Sequence, residues 1–487
     1  MKRYFNHLLT VVLVIAFFSV PLVQCRASNE NKAAQIDALM NKCYEYGQFN
    51  GSVLVAEAGK VIYKKGFGFA NMEWDIANTP DTKFRLGSIT KQFTSMLIMQ
   101  MVQEGKIDLS APMTRYLPYY RKDTGDQVTI HQLLNHTSGI PSYTGFPGFF
   151  KDKSRDPYNP DDFIKEYCSG DLEFTPGSKF RYNNSGYFIL GAIIEKVAAK
   201  PYEEVLKEKI LIPLGMKDTG YDHHSVILKK RAGAYEKRPG GYINADYLDM
   251  TIPYAAGSLY STVEDLYTWD QALYTDRLLA PKFKEMMFTP YLMDYGYGWG
   301  IQSRQIGDKT RKFISHGGGI NGFTTMIVRI VDDRHLIVLL NNTGQSMRGV
   351  ITGAITNILY GLPFEMPKKS IAETLIETIK KENIAAGIEQ YRLLKAKHAD
   401  IYEFSERELN NLGYQLLQDK NLDGAIEIFK LNIEAYPEKA NTYDCLAEAY
   451  MKKGDKELAV KNYKKSLELN PKNKNAVEKL KELEEKK

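Results

Sequence analysis

Four cysteines in 487 residues, Cys25, Cys43, Cys168 and Cys445, are too few for a disulfide framework, and no Cys-x-x-Cys occurs among them. His-Glu-x-x-His is missing, and no Cys/His cluster has zinc spacing, so neither a metal nor a cofactor is expected. His223-His224 is an isolated pair that reads as a solvated loop. No Gly-x-Ser-x-Gly is present, which argues against the strand–turn–helix route to a nucleophilic serine. Dense Lys/Arg blocks interleaved with aromatics are absent too. The net charge of +5 falls to about +2 once Lys2, Arg3 and Arg26 are set aside, so nothing points to nucleic acid. Long apolar runs are confined to the N-terminus, so the rest of the chain is expected to be soluble.

That N-terminal run, Leu8 to Val23, follows Lys2 and Arg3. It is about 16 residues long, short of the ~20 a spanning helix needs, and polar sequence follows at once. This predicts an export signal over 1–27 and a working place outside the cytoplasm. A cut after Ala27 gives a periplasmic protein. Leu22-Val23-Gln24-Cys25 also resembles a lipoprotein box, which implies a membrane-anchored lipoprotein lipidated at Cys25, although Gln24 departs from the small residue of that box.

Hydrophobic residues at 44% and aromatics at 12% suit a packed core, and the length suits more than one domain. A helix is predicted from about Asn31 to Tyr46. Val53 and Val55, then Val61 and Tyr63, alternate on either side of Ala58-Gly59 and predict a hairpin with one buried face. The stretch after Ser88 is apolar on most sides and reads as a buried helix. Thr129 to Gln132 and Ser261 to Glu264 read as capping boxes. Ile327–Ile330 and Leu336–Leu340 form strands about Asp332-Asp333-Arg334, and a helix follows at about 347–359. Strands at both ends and helices between them predict an α+β domain over 31–362: an antiparallel sheet flanked by helices, with a helical subdomain.

A linker is expected at 363–370. Beyond it, Leu412, Ala425, Phe429 and Pro437 recur 34 residues on as Leu446, Ala459, Tyr463 and Pro471. That is the period of a tetratricopeptide repeat (TPR), so an all-α repeat domain is predicted over 371–487. A degenerate first unit covers Ile371 to Phe404, and the tail from Asn475 is a capping helix. Such a domain is expected to hold a protein or peptide partner.

The chemistry is concentrated in three short stretches. Ser88-Ile89-Thr90-Lys91 puts an amine one helical turn from a hydroxyl, and a serine needs an adjacent base to attack a carbonyl. Tyr182-Asn183-Asn184 follows a turn at Thr175-Pro176-Gly177 and enters an apolar helix. His316-Gly317-Gly318 comes third. In this order they resemble the three motifs of the serine penicillin-recognising enzymes: penicillin-binding proteins, D-alanyl-D-alanine carboxypeptidases, class C β-lactamases, and related esterases and D-amino-peptidases. Phe180 to Leu190-Gly191, Gly257 to Thr262, and Tyr297-Gly298-Trp299-Gly300 extend the resemblance across about 45–345.

The resemblance implies that Ser88 is acylated and that Lys91 and Tyr182 share the proton transfers, with the choice of base left open. It implies that Asn184 holds the acyl side of the substrate, and that the N–H groups of Ser88 and Gly319 receive the oxyanion. Gly317, Gly318 and Gly319 are expected to leave the strand edge bare, so that a substrate backbone can lie along it, with His316, Gly318 and Gly319 among the substrate-binding residues. A mostly neutral His316 and the bare Gly317 replace the lysine and threonine of most β-lactamases, which weakens carboxylate recognition. The expectation is therefore a serine hydrolase acting on a small ester or amide, such as a D-amino-acid peptide. The rivals are an acyltransferase with an alcohol acceptor, a true β-lactamase or cell-wall carboxypeptidase, and a non-catalytic repeat-based binder. His136, in Leu134-Asn135-His136-Thr137, reads as a loop-packing residue rather than a base.

Overall fold

The computed structural model describes residues 21–344 and 347–485. Residues 1–20, most of the export-signal reading, lie outside the described residues. No helix among the described residues is long and apolar enough to cross a membrane.

Helix α1 (Pro21–Glu45) starts earlier than expected. Strands β1 (Gly51–Glu57) and β2 (Lys60–Phe67) form the hairpin about Ala58-Gly59. Strands β3 (Gly300–Ile306), β4 (Lys309–Ile320), β5 (Phe323–Ile330) and β6 (His335–Asn341) follow near the other end of the domain. The six make one antiparallel sheet in the order β3-β4-β5-β6-β1-β2. The hairpin does not have one buried face, as its alternation predicted. Pairing with β6 puts β1 inside the sheet, so Val53 and Val55 pack with Ile36, Met40 and Ile355 on one side. Leu54 and Ala56 join the larger core on the other. On edge strand β2, Val61 stays 41% exposed.

Helices α1 and α4 (Arg348–Leu359) cover the first face, and α2 (Thr90–Gln103) and α3 (Asn184–Ala198) belong to the layer on the second. Helix α2 is buried from Thr90 to Met101, the central helix its composition predicts. Thr129 caps its helix reciprocally with Gln132, as expected. The second box is displaced by one residue: Thr262 accepts from the Asp265 N–H, while the Ser261 hydroxyl meets Thr219.

The C-terminal helices pair as Ile371–Lys381 with Ile384–Lys397, Glu406–Gln418 with Leu422–Ala435, and Ala440–Lys453 with Lys456–Leu469, before Lys474–Glu485. They have a core of their own, in which Ala425, Ala459, Phe429 and Tyr463 are all buried. Gly413 is small because the Phe429 ring fills the space a Cβ would take. Lys369-Ser370 pairs with Tyr402-Glu403, so the end of the expected linker is tied to this region. Gln48 reaches the Lys368 carbonyl at 2.6 Å and Lys237 pairs with Glu373 at 3.2 Å, joining the two parts.

Candidate active site

Ser88 lies in a single turn, Gly87–Ile89, that runs directly into α2. Gly87 has φ +56°, a conformation that disfavours larger residues, and its missing Cβ leaves room for the backbone of Gly319. The turn therefore sits against the end of β4. Lys91, one turn on, is fully buried. Its Nζ lies 3.2 Å from Ser88 Oγ, 2.8 Å from Asn184 Oδ1 and 2.9 Å from the Ala256 carbonyl. It makes no ion pair among the described residues, and burial without a counter-ion drives its pKa well below 10.5. A neutral amine fits the same three contacts by donating to Asn184 and Ala256 and accepting from the Ser88 hydroxyl.

Tyr182 covers this amine, its ring centroid 4.9 Å from Nζ. The residue as a whole is 38% exposed. Burial raises the hydroxyl's pKa, and the Ser88 hydroxyl acts in the opposite sense. Lys91 and Tyr182 are thus driven apart, the lysine toward its neutral form and the tyrosine toward its protonated form.

His136 seats the tyrosine. Its ring lies 4.4 Å from that of Tyr182, its Nδ1 accepts from the Asn183 N–H at 3.1 Å, and its carbonyl accepts from the Arg181 N–H at 2.9 Å. Asn183 caps α3 through the Gly186 N–H, and Asn184 donates to Thr144 at 3.1 Å, so its amide is oriented from both ends.

His316 is buried on β4, with Nε2 2.9 Å from the Tyr295 hydroxyl and Nδ1 2.7 Å from the Gly317 carbonyl. Burial pushes its pKa down to about 3, so it is neutral at pH 7. The three glycines that follow differ in purpose. A Cβ on Gly317 would crowd the Arg348 guanidinium, and one on Gly318 would overlap the Leu86 carbonyl. Only Gly319 faces open space. The expectation that all three leave the edge bare therefore holds for one.

Strand β3 pairs with β4 only as far as Gly300–Ser315, leaving that edge of 316–320 without a strand neighbour. The two-residue turn Asn321-Gly322 closes on Ile320–Phe323. Alternation then makes Gly319–Thr324 a pair without mutual hydrogen bonds, so the Gly319 N–H points away from β5, toward the Ser88 turn.

Ser88, Lys91, Tyr182, Asn184, His316, Gly318 and Gly319 are thus all brought to one place. Sequence reasoning missed the Ala256 carbonyl, Tyr295 and Arg348, which donates to the Gly318 carbonyl at 2.5 Å. For Ala256 a signal existed in the adjoining Gly257-Ser258-Leu259 stretch. Gly298 of the Tyr297-Gly298-Trp299 stretch, with φ +78°, backs directly on Lys91. No group of residues among those described could hold a metal ion, and Cys43, Cys168 and Cys445 are buried free thiols.

Comparison with known proteins accords with this geometry. A family model described as Beta-lactamase matches residues 33–359, and a Tetratricopeptide repeat model matches 440–473. Penicillin-binding protein 4* of Bacillus subtilis (strain 168) is 31% identical over 370 residues, 70% of this chain and 79% of that protein. Teichoic acid D-alanine hydrolase of Staphylococcus aureus is 31% identical over 318 residues, 65% of this chain and 75% of its own. The crystal structure of D-amino acid amidase from Ochrobactrum anthropi SV3 superposes with a TM-score of 0.58 at 25% identity, over 68% of this chain and 98% of that one.

Proposed function

Because this chain belongs to the β-lactamase family of serine hydrolases, we propose that it cleaves small aminoacyl esters or amides, of the D-amino-acid type, through an acyl-enzyme on Ser88. The observation that carries this reading is Lys91: a buried amine without a counter-ion, 3.2 Å from Ser88 Oγ. Neutral Lys91 takes the Ser88 proton as Oγ attacks the substrate carbonyl carbon. The N–H groups of Ser88 and Gly319 receive the oxyanion. As the intermediate collapses, the leaving oxygen or nitrogen takes a proton from the Lys91–Tyr182 side. Water then attacks the acyl carbon and gives a proton to the same pair; the bond to Ser88 Oγ breaks, Oγ takes that proton back, and the acid is released.

The substrate class draws support from relatives named for D-alanine and D-amino acids. Neutral, buried His316 and bare Gly317 disfavour the carboxylate of a β-lactam. The basic and apolar N-terminal stretch, Lys2 to Val23, supports a working place outside the cytoplasm. The TPR helices supply a surface for a protein or peptide partner, with the division between the two parts at 363–370.

A fluorophosphonate probe followed by intact-mass analysis tests the nucleophile. One adduct is expected, absent in Ser88→Ala, together with a loss of at least ~10³-fold in ester turnover. An adduct persisting in Ser88→Ala would refute the assignment. A nitrophenyl ester should be turned over faster than a chromogenic cephalosporin, and the reverse order would point to a β-lactamase.

A further inference from the structure

The cleft beside Ser88 encloses about 400 Å³ and runs past Asn184 and Gly319 to apolar walls at Phe150, Leu248 and Ile252. Among the described residues lining it, one side chain carries charge: Glu236. We propose that Glu236 binds a cationic group on the acyl part of the substrate, so that the enzyme selects acyl groups bearing a free ammonium. This rests on the hydrolase reading of Ser88.

Glu236 lies on Tyr235–Arg238, the first strand of a hairpin completed by Gly241–Asn244. It is half-buried. Its Oε1 accepts from the Gly322 N–H at 3.2 Å, and the carboxylate lies flat on Gly344, where a Cβ would overlap it. It has no cationic partner among the described residues. Side chains alternate along a strand, and the neighbouring Lys237 turns to the opposite side, where it pairs with Glu373 at 3.2 Å. A carboxylate in a partly dry cleft gains most from a cation, and none of the lining residues supplies one. The substrate is left to bring it.

The position of the cavity says which part of the substrate that is. The leaving group departs toward the proton donors, and neither Lys91 nor Tyr182 lines this cavity, nor does His316. Asn184 and Gly319 do. The cavity therefore receives the acyl portion. Its apolar walls suit a small side chain and Glu236 suits an α-ammonium, which together describe an aminoacyl group whose nitrogen is free.

The test compares p-nitrobenzyl esters of D-alanine and of propionic acid, which differ only in the ammonium group, on full-length enzyme. Wild type should favour the D-alanyl ester in kcat/KM by about 10-fold or more. Glu236→Gln keeps an oxygen for the Gly322 N–H. It should lower kcat/KM for the D-alanyl ester by about 10- to 100-fold and leave the propionyl ester within about 3-fold. Glu236→Lys should reverse the preference. Equal losses on both esters, or no loss on either, would overturn the proposal and leave Glu236 as a support for the turn at Gly322. So would a wild-type enzyme without preference. Failure of the hydrolase reading looks different: wild type would turn over neither ester, or Ser88→Ala would turn over both.

Discussion

Lys91 has three hydrogen-bond partners and no carboxylate. That combination keeps it positioned while leaving its charge uncompensated. The acylation rate of Ser88 should therefore rise with pH along a limb set well below 10.5. Tyr182→Phe should cost about 10²- to 10⁴-fold in kcat and leave that limb in place, because burial keeps the tyrosine protonated. A limb that disappears in Tyr182→Phe would make the tyrosine the base. The double variant with Lys91→Met should lose little more than Lys91→Met alone, since the two act as one unit. Stability should follow His316 in acid. The unfolded chain takes up this proton near pH 6.5, and the folded one only near pH 3. The stability is thus fully present above 6.5 and is lost as pH falls toward 3, at roughly 1.4 kcal/mol per pH unit within that window. His136, held down chiefly by burial, acts in the same direction. Urea denaturation between pH 4 and 8 should show a shallower acid limb for His316→Gln than for wild type. An unchanged limb would place the titration elsewhere.

At the scale of elements, the site is a close approach between the Ser88 turn and the end of β4. Gly318 makes that approach, and Gly319 lines the cleft it creates. Gly318→Ala should push β4 from Leu86, lower Tm by several degrees and abolish Ser88 labelling. Gly319→Ala meets open space and keeps its N–H, so Tm should stay within about 2 °C. Gly318→Ala labelling at the wild-type rate would show that the tight contact is dispensable. The loop carrying Tyr182 depends on a second element: its strap to His136 joins it to the end of the helix Ile130–Leu134.

At the scale of the molecule, the hairpin 235–244 joins two parts. Glu236 lines the cleft beside Ser88 and Lys237 pairs with Glu373 of the first C-terminal helix. The helical region has its own core, and no proposed catalytic residue lies in it. A chain ending near Leu362 should keep Ser88 labelling and turnover of the propionyl ester. Its KM for the D-alanyl ester should rise several-fold, because the hairpin loses its Glu373 tie. Pull-down of a protein or peptide partner should be lost with it. A folded, soluble truncation that labels no serine would contradict this division.

The turn at Ser88, the order of the three motifs, the strands and the repeat period were all legible in the chain before folding. Each of these is written in near neighbours: Ser88 and Lys91 three apart, the apolar runs Ile327–Ile330 and Leu336–Leu340 on either side of one turn, Ala425 and Ala459 one repeat apart. Helix α2 was legible because burial on all sides leaves an apolar run. That β1 is interior emerges with folding, since its partner β6 lies far away in the chain. Only folding lowered the pKa of Lys91 and pushed that of His316, already expected to be mostly neutral, further down, because their burial depends on segments that share no sequence pattern with them. Glu236 was invisible for the same reason. A lone glutamate in Tyr235-Glu236-Lys237-Arg238 reads as one charge in a solvated strand, until folding carries it, and not Lys237, into the cleft beside Ser88.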